Sequence, residues 1–193
     1  MKTDIILSGV GGQGILSIAT VIGEAALEEG LFMKQAEVHG MSQRGGDVQS
    51  NLRISDKPIA SDLIPRGKAD LIISLEPMES LRYLPFLKPD GWLVTNSEPF
   101  VNIPNYPAIE AVHAELNKLP QKVVLDVDGI AKNLGSARAA NMVMLGAATP
   151  FLGIEYDKIE AGIRRIFSRK GDEIVEMNLK ALAAGCDVAK RVV

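Results

Sequence analysis

The chain has 193 residues, 47% of them apolar and 23% charged, with a formal charge of −3. That suits one domain with a substantial core, and the acidic balance argues against a nucleic-acid surface. A single cysteine excludes an internal disulfide and an iron–sulfur cluster held by this chain alone, and no apolar run approaches the roughly 20 residues of a membrane span. His39 and His113 are too few and too far apart to suggest a metal site by themselves. Met1-Lys2-Thr3-Asp4 runs straight into a strand pattern without signal-peptide character, so the expected location is cytoplasmic.

The first expected strand covers residues 3–9. It leads through Gly9-Val10-Gly11-Gly12-Gln13-Gly14 into a helix ending near Gly30, whose polar stripe is Gln13, Ser17, Thr20, Glu24 and Glu28. A second strand spans about 32–38. It opens into His39-Gly40-Met41-Ser42-Gln43-Arg44-Gly45-Gly46, and a half-exposed strand follows over 48–55. So short a link between consecutive strands implies antiparallel neighbours, hence a mixed sheet. Residues 69–75 are a mainly apolar run around Leu71, Ile72 and Ile73, as in a strand covered on both faces. Pro77 opens a helix with the stripe Met78, Leu81, Arg82 and Tyr83. Lys88-Pro89-Asp90-Gly91 is expected to turn, with strands over 92–95 and 122–127 and a short amphipathic helix over 108–118. Residues 99–107 hold three prolines and are expected to be irregular. The C-terminal third is helical: an alanine- and methionine-rich run over 137–149, then stripes Ile159, Ile163, Ile166, Phe167 and Val175, Leu179, Leu182, Cys186, Ala189. The cluster Arg164, Arg165, Arg169 and Lys170 reads as a solvated helix face. The expectation is one domain over 1–193 of the α/β class: three-layer α/β/α, with a mixed, mainly parallel sheet and a helical C-terminal tail.

Gly9-x-Gly11-x-x-Gly14 satisfies the dinucleotide fingerprint, and Glu37 ends the second strand about where an acidic ribose ligand would sit. Against a free-standing nicotinamide- or flavin-binding protein, the turn carries more glycine than that fingerprint needs. The loop after Glu37 also replaces the second crossover helix. A close strand–helix packing corner without ligand stays open as well. Val127-Asp128-Gly129 opens like a thiamine-diphosphate metal motif, but no paired asparagines follow and Asp-Gly is a common turn. Cys186 falls on an apolar stripe and reads as a packing residue.

The loop after Glu37 is harder to read as a mere connection, because it sets His39, Gln43 and Arg44 among Gly40, Gly45 and Gly46. Arg44 presents a planar fork suited to a carboxylate or phosphate, and Met41 an adaptable apolar contact. If it lies beside residues 9–14, the two form one concave anion-accepting surface. The candidate ligand- or partner-contact residues are therefore Gly9, Gly11, Gly12, Gln13, Gly14, His39, Met41, Gln43, Arg44, Gly45 and Gly46, with none assigned to catalysis or metal.

The pair GVGGQG at 9–14 and EVHGMSQRGG at 37–46 resembles the small subunit of indolepyruvate:ferredoxin oxidoreductase, and more broadly the gamma subunit or domain of the 2-oxoacid:ferredoxin oxidoreductases. The resemblance continues through residues 62–65, 75–77, 81–85 and 141–146. It implies an accessory subunit of an enzyme that oxidatively decarboxylates aryl 2-oxoacids with coenzyme A and reduces ferredoxin. It further implies that no cofactor is bound by this chain alone. Thiamine diphosphate, Mg and the iron–sulfur clusters then sit in a large partner subunit, and the gamma unit shapes the substrate or coenzyme A side of the site. A gamma subunit of another 2-oxoacid:ferredoxin oxidoreductase is the neighbouring alternative.

Overall fold

The computed structural model describes residues 1–39 and 45–192, with only the backbone at His39. Met41, Gln43 and Arg44 of the expected contact set lie outside the described residues.

Six strands make one sheet: β1 (Lys2–Val10), β2 (Phe32–His39), β3 (Asp47–Ser55), β4 (Ala69–Ser74), β5 (Leu87–Asn96) and β6 (Lys122–Leu125). Their order is β2-β3-β1-β4-β5-β6; β3 runs antiparallel to both neighbours, and β1, β4, β5 and β6 are mutually parallel. The expected mixed, mainly parallel sheet is present, with a single reversed strand. The apolar runs of β1 and β4 require cover on both sides, and alternate residues supply two cores. Ile5, Leu7, Leu71 and Ile73 face the larger core beneath α1 (Ile15–Glu28), α4 (Val127–Asn133), α5 (Ala140–Ala148), α6 (Tyr156–Phe167) and α7 (Asp172–Ala189). Ile6, Ile72 and Leu93 face the smaller one beneath α2 (Pro77–Tyr83) and α3 (Ile109–Asn117). The helical stripe Val175, Leu179, Leu182, Cys186 and Ala189 is buried as expected. Ile159 and Ile163 are buried in α6, while Ile166 and Phe167 are half-covered at the core's margin.

Three expectations need correction. The buried face of α2 is Pro77, Glu79, Ser80 and Tyr83 rather than Met78, Leu81 and Arg82. The polar members tolerate burial because they are paired: Ser80 Oγ donates to Pro77 O at 2.6 Å and the Glu79 carboxylate takes both prongs of Arg82 at 2.7 and 3.2 Å. Lys88-Pro89-Asp90-Gly91 does not end a chain segment, because β5 runs through it. The register with β4 jumps there, Ala69 pairing with Leu87 but Leu71 with Trp92. Asp128-Gly129 is no turn either. Asp126 Oδ1 accepts from Gly129 N at 2.7 Å, and this cap starts α4 at Val127.

Arg165, from the basic cluster, pairs with Glu24 and Glu28 of α1, and Arg164 with Glu176 of α7. The cluster is a solvated face stitched to its neighbours. Among the described residues, no helix is long and apolar enough to cross a membrane.

Candidate functional site

The chain reverses its progress through the sheet at β1: the crossover through α1 goes to β2 on one side, β3 returns between β2 and β1, and β4, β5 and β6 add to the other side. In open α/β sheets the crevice beyond the strand ends at such a point is where ligands bind. A cleft of about 470 Å³ lies there, lined by Gly11, Gly12, Gln13 and Gly14 after β1, Leu75 after β4, and Asn96, Glu98, Pro99 and Phe100 from the end of β5 onward. Val127 and Asp128, just after β6, close it, with Arg138 from the short turn before α5 and Asn141 from the first turn of α5.

The glycine turn is built for close approach. Gly9, Gly12 and Gly14 adopt φ of 155°, 106° and 89°, and a Cβ on Gly14 would stand 2.7 Å from Asn141 Nδ2. Helix α1 starts at Ile15 with no side-chain cap. Its N-cap, Gly14, lines the cleft, which places the positive end of the helix dipole at the cleft's wall.

Gln13 works inside this turn. Its Oε1 accepts from Val10 N at 2.7 Å and its Nε2 donates to Leu75 O at 3.0 Å, tying the end of β1 to the end of β4. Asn96 is the second tie. Its Nδ2 donates to Leu75 O at 3.4 Å and to Asp128 Oδ2 at 3.0 Å, while its Oδ1 accepts from Val127 N and Glu98 N. Gln13→Ala leaves the buried Val10 N–H without an acceptor, which costs about 1–3 kcal/mol; urea unfolding should show it as a lower midpoint with unchanged slope.

The two glycine segments meet. Gly11 N donates to Gly46 O at 2.8 Å and Gly45 N to Gly11 O at 3.3 Å, so Gly45 and Gly46 lie directly against the turn. Backbone at His39 ends β2 opposite Val48.

Glu37 is in the wrong place for a ribose ligand. The reversed strand β3 sits between β1 and β2, placing Glu37 two strand spacings, about 10 Å, from the strand that carries the turn.

Beside the cleft, Glu76 is completely buried. Its Oε2 accepts from Glu79 N at 2.7 Å as the cap of α2, and its Oε1 accepts from Phe100 N and from the Tyr106 hydroxyl. Burial, then the bond to Glu76, pushes the Tyr106 phenol above its ordinary range. Burial, then the charge of Asp47, pushes Tyr83 up to about 12. Both phenols are held neutral by the fold, so their contribution is complete below pH about 10, where the unfolded phenol titrates, and is lost as pH rises past it. Burial pushes Tyr156, the third tyrosine, up to about 12 as well, so tyrosinate absorbance should rise late, with no phenol titrating in the range of a free one.

Asn96, Arg138, Asn141 and Glu76 were missed from the sequence. Arg138 had a signal, a lone cation interrupting an alanine-rich run; it is exposed at the mouth and is the one cationic side chain among the described lining residues, against Glu98 and Asp128. No group of three or more histidine, cysteine or acidic side chains that could hold a metal occurs among the described residues.

Over residues 4–188 the chain matches the family described as pyruvate ferredoxin/flavodoxin oxidoreductase. It is similar to the indolepyruvate oxidoreductase subunit IorB of Archaeoglobus fulgidus, at 38% identity covering 98% of this chain and 96% of that protein. Among solved structures, the gamma subunit of a keto/oxoacid ferredoxin oxidoreductase from Geobacter sulfurreducens superposes with a TM-score of 0.72 at 27% identity, covering 98% and 99% of the two chains. A 2-oxoglutarate:ferredoxin oxidoreductase from Magnetococcus marinus superposes with a TM-score of 0.78 at 21% identity, a likeness of fold. All of this chain is matched there, but only 32% of the longer one.

Proposed function

The chain belongs to the pyruvate ferredoxin/flavodoxin oxidoreductase family, and from that premise we propose that it is the non-redox accessory subunit of an indolepyruvate:ferredoxin oxidoreductase. That enzyme decarboxylates an aryl 2-oxoacid, such as indole-3-pyruvate, and joins the acyl group to coenzyme A. The products are an arylacetyl-CoA and CO2, and two electrons leave to ferredoxin. The observation that carries this reading is the similarity to IorB along nearly the whole of both chains.

The donor set agrees with an accessory role. Cys186, the only cysteine, is 4% exposed on the inner face of α7, and one buried thiol cannot hold an iron–sulfur cluster. Asp128, the acid of the Asp-Gly pair, lies in the first turn of α4 and is bonded to Asn96. On this reading thiamine diphosphate, Mg and the clusters belong to a large partner subunit, which supplies decarboxylation and electron transfer. This chain contributes binding and orientation. Its turn at 9–14 and the loop at 39–46 face the partner or the coenzyme A channel, with Arg44 as the anion contact and His39 and Gln43 as polar helpers. The complex resides in the cytoplasm.

Co-expression with the large subunit tests this. The complex should reduce ferredoxin with indole-3-pyruvate and coenzyme A, and the chain alone should not. Arg44→Ala should weaken coenzyme A binding or assembly roughly tenfold, the size of one lost charge-assisted hydrogen bond. Wild-type kinetics and assembly in that variant refute the role of Arg44. A flavin or nicotinamide spectrum carried by the chain alone favours a free-standing nucleotide-binding protein instead.

A further inference from the structure

The segment between β5 and α3 forms a strap over one lip of the cleft. It has no regular structure, yet it is tied at four points. His113 Nε2 donates to Ser97 O at 2.8 Å, Phe100 N and the Tyr106 hydroxyl both donate to the buried Glu76 carboxylate, and Asn102 Nδ2 donates to Gly45 O at 2.7 Å. A fully buried carboxylate is costly unless it is bonded, and two of the donors that satisfy Glu76 come from this strap. Despite that anchoring, its apolar side chains point outward: Phe100, Val101 and Ile103 are 46%, 67% and 36% exposed.

We propose that this strap is the docking surface for the large cofactor-bearing subunit, with Phe100, Val101 and Ile103 as its apolar anchors. The inference rests on the accessory-subunit reading and names the face that reading leaves open. Three large apolar side chains within four residues, rigidly presented, mark an interaction site rather than ordinary surface scatter. Among possible occupants, a membrane is disfavoured, because residues 97–108 carry no lysine or arginine and do carry Glu98. A protein partner is favoured because the same fold in the longer Magnetococcus chain is about a third of one polypeptide. Where this fold stands as a separate chain, a non-covalent face must replace that covalent connection. The strap is continuous with the cleft through Phe100 and with the glycine corner through Asn102, so a subunit seated on it also roofs the site.

The test is capture of the large subunit by the tagged full chain after co-expression. Val101→Asp should weaken capture by roughly tenfold or more, the loss expected for a central apolar anchor. Leu27→Asp, an exposed apolar residue near the far end of α1, should capture like wild type. Tyr106→Phe keeps every apolar anchor but loosens the tie to Glu76, and should weaken capture by a smaller factor. Circular dichroism melts check that all three variants fold. Wild-type capture by Val101→Asp overturns the strap assignment while leaving the accessory role intact, as does equal loss in Leu27→Asp. Failure of the wild-type chain to capture any large subunit overturns both.

Discussion

Replacing Gly146 or Gly185 by alanine will lower the stability of this protein by roughly 3 kcal/mol or more. The two glycines lie where α5 and α7 cross. A Cβ on Gly146 would stand 1.9 Å from Leu182 O, and one on Gly185 would stand 1.9 Å from Val143 O. In both cases the obstacle is backbone, which has no rotamer to change, so the helices must separate. Alanine offers about 1 kcal/mol of helix propensity over glycine, too little to offset the lost packing. Seven of the nine residues of α5 are buried, so its displacement opens the core on several sides. In a chain of this length, that loss corresponds to a fall in melting temperature of about 6–12 °C. The double variant should cost less than the sum, because helices parted at one glycine have already made room at the other. Calorimetry of the two single variants and the double variant checks all three statements. The consequence reaches the cleft: α5 begins with Ala140 and Asn141, and Asn141 Nδ2 donates to Gly14 O at 3.4 Å. A displaced α5 pulls one wall away from the glycine turn.

That helix crossing also shows what was legible before the structure. The apolar runs of β1 and β4 and the stripes of α6 and α7 could be read off directly, because a period of two or 3.6 is imposed by burial itself. A close crossing at glycines leaves no such period; Gly146 and Gly185 are 39 positions apart in the chain, and only the fold brings each against the other's helix. The polar inner face of α2 was hidden for a related reason. Glu79 and Ser80 resemble surface residues until the partners that satisfy them, Arg82 and Pro77 O, are in place. The meeting of Gly11 with Gly45 and Gly46 was legible only as a condition: a short hairpin sets β3 beside β2, and the sheet order is what also puts β3 beside β1. Asn96 was not: an asparagine at the end of a strand becomes a hub only when β4 and α4 converge on it. Glu37 misled because the dinucleotide pattern assumes the first two strands are neighbours, and here β3 lies between them.

Arg53→Leu should cost about 3–5 kcal/mol, because it leaves a buried carboxylate short of its main partner. Asp4 is completely buried on β1, directly across the ladder from Arg53 on β3. The guanidinium grips it with both prongs, at 2.8 and 3.1 Å, and the largely exposed Lys2 supplies the remaining contact at 2.8 Å. The same guanidinium donates at 3.0 Å to Ser61 O and at 3.0 Å to Leu63 O, holding the long connection between β3 and β4 against the sheet. The two roles can be separated. Asp4→Leu combined with Arg53→Leu removes both charges and should recover most of the lost stability, since an apolar pair replaces a buried ion pair at little net cost. It should not restore the anchored connection, so proteolysis around residues 58–63 should be faster in the double variant than in wild type even when their melting temperatures agree. If the double variant is as unstable as Arg53→Leu, an orphaned charge is not the cause. The exposed pair between Arg165 and Glu24 makes the contrast: with the arginine 59% exposed, breaking it should leave the melting temperature close to that of wild type. The difference lies in water, which can replace the partner of a surface charge but cannot reach Asp4.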